Sequence, residues 1–360
     1  MGLQLTTTRT NEYVISIEMN STSSKLLLDK ELVPYPQSKI YRDEITIKEN
    51  NILISAKRSN KIDMNGIFIN HNSAIFRQIT KALIYYYCAT RKPIQIKSIT
   101  IRLISNKPYD TIKLEDNNLN QIVDKNADLS SLENIDLVSL KAIFLETPKN
   151  HGYLYGLTFL IKSLYADSQH GKFENKWKAF NAIYKAVAGK TSDHECHVFI
   201  RQHMTTNFSS YPLISSKIHS MSAEDIRSNI RWNKFVLNDF ATLTKTKAFK
   251  EFVIRNEDHR LIKIIRDTIT IRDEYLKSQN FYDDVMAHLN AHENTTNDSH
   301  LAATLCIKYA YFARNKIIHA ESIESGFRLI PLNKEEKEVA WLSSLLELLI
   351  IDLINNFNSF

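Results

Sequence analysis

The period of the apolar positions changes part-way along this chain. Tyr13 to Met19, Lys25 to Leu28, Glu44 to Lys48 and Ile52 to Ala56 are short runs rich in Ile, Val and Leu, as strands are. The last two flank Glu49-Asn50-Asn51, which suits a hairpin turn. From Ser73 to Cys88 the spacing becomes helical, with Ile75, Ile79, Leu83 and Tyr86 or Tyr87 on one stripe and Asn72 or Ser73 as the cap. Thr90-Arg91-Lys92-Pro93 stops that helix. Ile94, Ile96, Ile99, Ile101 and Leu103 then alternate, with a phase slip at Lys97-Ser98 that predicts a bulge.

Residues 108–135 are rich in Asn and Asp and read as a linker or an irregular connection. Strand patterns then nearly vanish. Helical spacing is expected over Leu137–Leu145, Leu154–Tyr165, Lys172–Ala188, His194–Met204, Ala223–Phe240, Ala248–Leu276, Phe281–Leu289, His300–Ile318 and Lys334–Asn356. Helices joined by short polar turns predict an all-α bundle. The expectation is a small α+β domain over 1–130 and a helical bundle over 131–360, mainly α overall, with extra helices around 190–250.

Composition removes several function classes. The 360 residues contain only seven glycines, and neither G-x-G-x-x-G nor G-x-x-x-x-G-K-[ST] occurs. A Rossmann dehydrogenase and a P-loop ATPase are therefore not expected. The longest apolar stretch, Trp341 to Phe357, is interrupted by Glu347, Asp352 and Asn355-Asn356, so no membrane span is expected. Three widely spaced cysteines, Cys88, Cys196 and Cys306, suit a reducing cytoplasm better than a disulfide framework.

Charge is unevenly spread. Residues 51–107 hold ten Lys or Arg against one acid, and residues 110–146 hold eight acids against three Lys. The basic segment is either a polyanion-facing surface or a solvated face neutralised by the acidic stretch after it. On the first reading Lys81, Arg91 and Lys92 would contact RNA, beside a Tyr85-Tyr86-Tyr87 run that either stacks bases or packs in a core.

The segment richest in chemistry is Tyr309-Ala310-Tyr311-Phe312-Ala313-Arg314-Asn315-Lys316-Ile317-Ile318-His319. Leu301, Leu305, Tyr309 and Phe312 form an apolar stripe, so Arg314 and Asn315 fall late on a helix, with His319 one turn beyond Asn315. An arginine, a polar residue, three more residues and a histidine resemble the R-[N/D/H]-x3-H signature of HEPN domains. A last amphipathic helix follows the motif, and an aromatic-rich helix, Phe173 to Tyr184, precedes it, as is common in that family. The resemblance covers about residues 150–360.

The resemblance implies a metal-independent endoribonuclease, a toxin or anti-phage defence effector acting on RNA, with no cofactor. Such a trio supports 2′-hydroxyl transesterification. His319 serves as general acid or base near neutrality, Arg314 offers a permanent forked cation to the phosphorane oxygens, and Asn315 orients the imidazole or bonds the phosphate. Lys316 is a further candidate RNA contact. One histidine does not easily fill both proton-transfer roles, which agrees with the family habit of forming homodimers that share a composite site. An antitoxin or defence-system partner is also implied.

Two other readings stay open: a HEPN bundle that binds nucleic acid or nucleotide without cutting, and a helical scaffold whose Arg314 and His319 are structural. Two lesser motifs complete the inventory. Asp193-His194-Glu195-Cys196-His197, with His203, has zinc-ligand types but no completing second cluster, and reads more simply as a polar helix start. Arg255-Asn256-Glu257-Asp258-His259 misses the HEPN spacing by one residue and is expected on a solvated helix face.

Overall fold

A computed structural model describes residues 10–36, 38–104, 109–318 and 333–360. It divides into two compact units, one comprising the chain up to Tyr165 with Phe357–Phe360, the other Ala166–Asn356. The first is α+β and the second helical, the mainly α organisation that the change of period predicts. No described helix is long and apolar enough to cross a membrane.

Six antiparallel strands build the first unit's sheet in the order β2-β3-β4-β1-β5-β6. They are β1 (Asn11–Met19), β2 (Leu26–Pro34), β3 (Arg42–Lys48), β4 (Asn51–Arg58), β5 (Ile96–Leu103) and β6 (Asp110–Glu115). Alternation puts every second side chain on one face, and the register lines these up in rows. Ile47, Ile52, Ile17 and Ile99 form one row, and Ile45, Ile54, Ile15 and Ile101 the next. All eight are buried. The expected bulge is present: Glu18 pairs with Ser98 and Met19 with Ile96, which leaves Lys97 as the extra residue.

The one-turn helix α1 (Gly66–Ile69) precedes α2 (Ala74–Thr90), whose Ser73 cap accepts from the Phe76 amide. α2 closes at Arg91, left-handed at φ 56°. Tyr85, Tyr86 and Tyr87 are buried, and the hydroxyls of the last two donate to the Glu49 and Ile94 carbonyls. The run is therefore core. α3 (Leu137–Leu140) and α4 (Pro148–Leu164) complete this unit, with Tyr153 stacked on Phe357 at 4.1 Å.

The second unit opens with α5 (Gln169–Ala188), α6 (Asp193–Thr206), α7 (Pro212–His219), α8 (Ala223–Asn229) and α9 (Trp232–Asp239). It continues with α10 (Thr246–Ile254), α11 (His259–Thr268), α12 (Asp273–Ser278) and α13 (Tyr282–Ala291). α14 (Asp298–Ala303) runs through a π turn (Thr304–Tyr309) into α15 (Ala310–Ile318), and α16 (Lys334–Asn355) follows. α5 and α16 are the central pair. Trp177, Phe180 and Tyr184 on α5 and Leu342, Leu346, Leu349 and Leu353 on α16 are buried, and Lys176 bonds Glu347 between them. The wide apolar face of α16 is thus consumed inside one chain and offers no surface for a second copy.

Three expectations need correction. Residues 108–135 are not wholly irregular, because β6 lies there as an edge strand with no buried residue. The single helices expected over Ala223–Phe240 and Ala248–Leu276 are broken, the first at Ile230–Arg231 and the second around Arg255–Asp258 and again before α12. The Arg255–His259 segment is consequently an inter-helix turn rather than a solvated helix face, with Asn256 and Asp258 buried.

Candidate active site

Arg314 and Asn315 lie on α15, which a buried polar knot holds in place one turn earlier. The Tyr309 hydroxyl bonds the Glu338 carboxylate and accepts from the Arg231 amide at 2.7 Å. Glu338 also accepts from that amide at 2.9 Å and from Arg231 Nε at 2.6 Å. Glu338 is buried, so each of these contacts replaces water that folding has removed. The knot ties the motif-bearing helix to α16 and to the start of α9.

Phe312 and Ala313 face inward, whereas Arg314, Asn315 and Lys316 are half-buried. Arg314 Nη1 donates to Asn315 Oδ1 at 3.0 Å. No described carboxylate pairs with the Arg314 guanidinium, and its Nε has no acceptor among the described residues. Lys316 Nζ lies 6.0 Å from the Phe312 ring. His319, the acid–base member of the expected trio, lies outside the described residues.

Comparison of the chain with family models, with curated proteins and with solved structures found no match.

The remaining expected RNA contacts separate. Arg91 and Lys92 are exposed beyond the end of α2. Lys81 is not with them: it is fully buried, 2.7 Å from Glu146, which also bonds His151 at 2.9 Å and faces Arg77 at 3.6 Å. Much of the 51–107 basic segment is spent in the same way. Arg58 forms a two-pronged buried bond with Asp43, Lys61 pairs with Asp110 and Lys97 approaches Glu18. Two of those acids, Asp110 and Glu146, belong to the acidic stretch, so neutralisation describes this segment better than a polyanion-facing surface.

The two lesser motifs converge on one feature that the sequence does not announce. His194, His197 and Arg201 on α6, Glu251 and Arg255 at the end of α10, and His300, Lys308 and Tyr311 on the α14–α15 helix line a cleft of about 630 Å³. Cys196 turns inward, its Sγ 3.5 Å from the Lys190 carbonyl, and His203 bonds the Tyr211 hydroxyl at 2.7 Å. The Asp193–His203 segment is therefore dispersed rather than gathered, and no group of three metal-ligating side chains forms among the described residues. Burial pushes the His197 imidazole down to about 4, so it is neutral at physiological pH. Tyr311 is the last cleft residue on its helix, and Arg314 and Asn315 follow on the next turn.

Proposed function

We propose that this chain is a metal-independent endoribonuclease of HEPN type, in which Arg314 stabilises the phosphorane and His319 transfers the proton. The observation that carries the reading is Arg314 itself. A half-buried guanidinium stands late on a braced helix, bonded to Asn315 and to no described carboxylate, which leaves most of its fork for a phosphate. The motif spacing and the terminal helix after it supply the rest of the support.

On this reading the acid and base are two His319 side chains from a homodimer, because one imidazole does not readily serve both steps. That pairing rests on the chemistry, since α16 spends its apolar face inside the chain. The three buried free thiols suit a reducing cytoplasm, and a role as toxin or defence effector, with or without an antitoxin partner, follows from the HEPN resemblance alone.

Arg314→Ala and His319→Ala should each abolish RNA cleavage while changing stability by no more than about 1 kcal/mol. Cleavage should persist in EDTA and leave 2′,3′-cyclic phosphate or 3′-phosphate ends. In a preparation shown to exchange subunits, excess His319→Ala chain should depress wild-type activity. Undiminished cleavage by either single variant would remove the proposal.

A further inference from the structure

Most described arginines of the helical unit have a partner for the guanidinium, and two that do not share one cleft. Arg227 pairs with Asp267, Arg231 with Glu338, Arg260 with Asp258 and Asp298, and Arg266 with Glu293. Arg272 donates to two backbone carbonyls. The Arg201 and Arg255 guanidiniums have no hydrogen bond or ion pair among the described residues, and both residues line the cleft between α6, α10 and the α14–α15 helix. Arg201 is half-buried. Burial first, and then the Arg255 cation, hold its guanidinium below its ordinary range. Arg255 is exposed beside it, and neither guanidinium is engaged by an acid, which leaves both able to take an anion.

The other charges of the cleft do not neutralise them. Asp193 is engaged by Lys185 at 2.9 Å, and Lys308 by Asp239 at 2.5 Å. Glu251 is exposed one turn before Arg255 and forms no ion pair with it. His197 Nε2 is buried with no hydrogen-bond partner. Two unpaired guanidiniums therefore line a space whose walls include the apolar Phe240, Phe252 and Ile307 as well as the polar Asn256, His300 and Thr304. The π turn Thr304–Tyr309 forms one wall, and such turns occur frequently at functional sites.

We propose that this cleft binds a small phosphate monoester, its dianionic head between Arg201 and Arg255 and its organic body against the Tyr311 side. Two guanidiniums match two negative charges, whereas a carboxylate would be saturated by one fork. A volume of about 630 Å³ far exceeds a bare phosphate and falls in the range of pockets that enclose a whole small molecule. The half-buried placement of Arg201 between helices favours a compact ligand over a polymer strand. The proposal does not depend on RNA cleavage.

Calorimetric titration of the full chain with AMP, ribose 5-phosphate, inorganic phosphate and uncharged adenosine tests it. At least one monoester should bind at a single site, about tenfold or more tighter than inorganic phosphate, and adenosine should not bind. Arg201→Gln and Arg255→Gln should each weaken the monoester about tenfold or more, as loss of a charged hydrogen bond does. Glu251→Gln should tighten it. Ligand-free Arg201→Gln should melt no lower than wild type, which a merely structural arginine would not allow. The proposal fails if neither monoester binds at millimolar concentration, if adenosine binds as well as AMP, or if the arginine variants keep wild-type affinity. It fails equally if a single-stranded RNA lacking terminal phosphates competes as effectively as the monoester, because the cleft would then belong to the polymer.

Discussion

Lys81 and Arg201 are both cations on helices within packed regions, and the fold treats them in opposite ways. Lys81 is withdrawn from water completely and given Glu146, with Arg77 and His151 on the same carboxylate. Arg201 is withdrawn by about half and given another cation as its neighbour. A buried charge with a partner fixes structure, and one without a partner is held ready for something else. The contrast separates the basic segment of the first unit, which the sequence left as either an interface or a neutralised face, from the cleft of the second, which no local motif marks.

The largest effect should come from stranding one member of the buried pair. Glu146→Gln leaves Lys81 with no acid at bonding distance and should cost about 3–5 kcal/mol. Lys81→Met should cost less, because Arg77 and His151 still hold Glu146. Urea unfolding of both, and of the double variant, checks the asymmetry. A double variant more stable than Glu146→Gln alone is the expected result, and strict additivity would show that the pair is not coupled.

Asp352 extends the comparison to a buried acid with no cation at bonding distance among the described residues. It accepts from the Leu213 and Ile214 amides at the start of α7, at 3.2 and 2.9 Å. Burial outweighs those bonds and pushes the carboxyl up to about 6. The folded state therefore holds this proton more tightly than the unfolded chain, so the group's contribution is greatest below the ordinary carboxylate range and is lost as pH rises through about 6. Wild type should therefore lose on the order of 2 kcal/mol between pH 4 and pH 7.5, and Asp352→Asn, whose amide nitrogen can accept from neither α7 amide, should remove that pH dependence at the cost of one hydrogen bond. Relative to wild type the variant should therefore do worst near pH 4. Parallel stability–pH curves for the two proteins would contradict this account.

These cases show what local pattern carries and what it leaves out. The isoleucine rows of the sheet were legible because alternation and burial coincide on β1, β3, β4 and β5. β6 was not, since its alternation is carried only by Ile112 and Leu114, both half-buried, in a stretch otherwise dominated by Asn and Asp. The helical stripe through Ala223–Phe240 continues across the break at Ile230–Arg231, so periodicity alone could not reveal that Arg231 turns there to meet Glu338. Arg314 and Asn315 stand out in the sequence because their signal is local spacing. Arg201 and Arg255 come from different helices, and only tertiary packing makes them neighbours. Lys81 was misread for the complementary reason: its counter-ion, Glu146, lies beyond β5 and β6, at the end of the 110–146 acidic stretch.

The smallest effect is the most discriminating for that contrast. Removing a surface arginine ordinarily changes stability by no more than about 0.5 kcal/mol in either direction, and removing a paired, half-buried one costs more. Arg201→Gln deletes a charge that has only a repulsive partner, while keeping much of the side chain's apolar stem against its neighbours. The ligand-free variant should therefore be equal to wild type or more stable by a few tenths of a kcal/mol. The difference should shrink in high salt, as repulsion across a solvent-accessible cleft is screened. Lys81 offers the control, because its removal should destabilise at every salt concentration. Should Arg201→Gln lose more than about 1 kcal/mol in low salt, Arg201 would be a structural residue like Lys81, and the cleft would lose its claim to an unpaired charge.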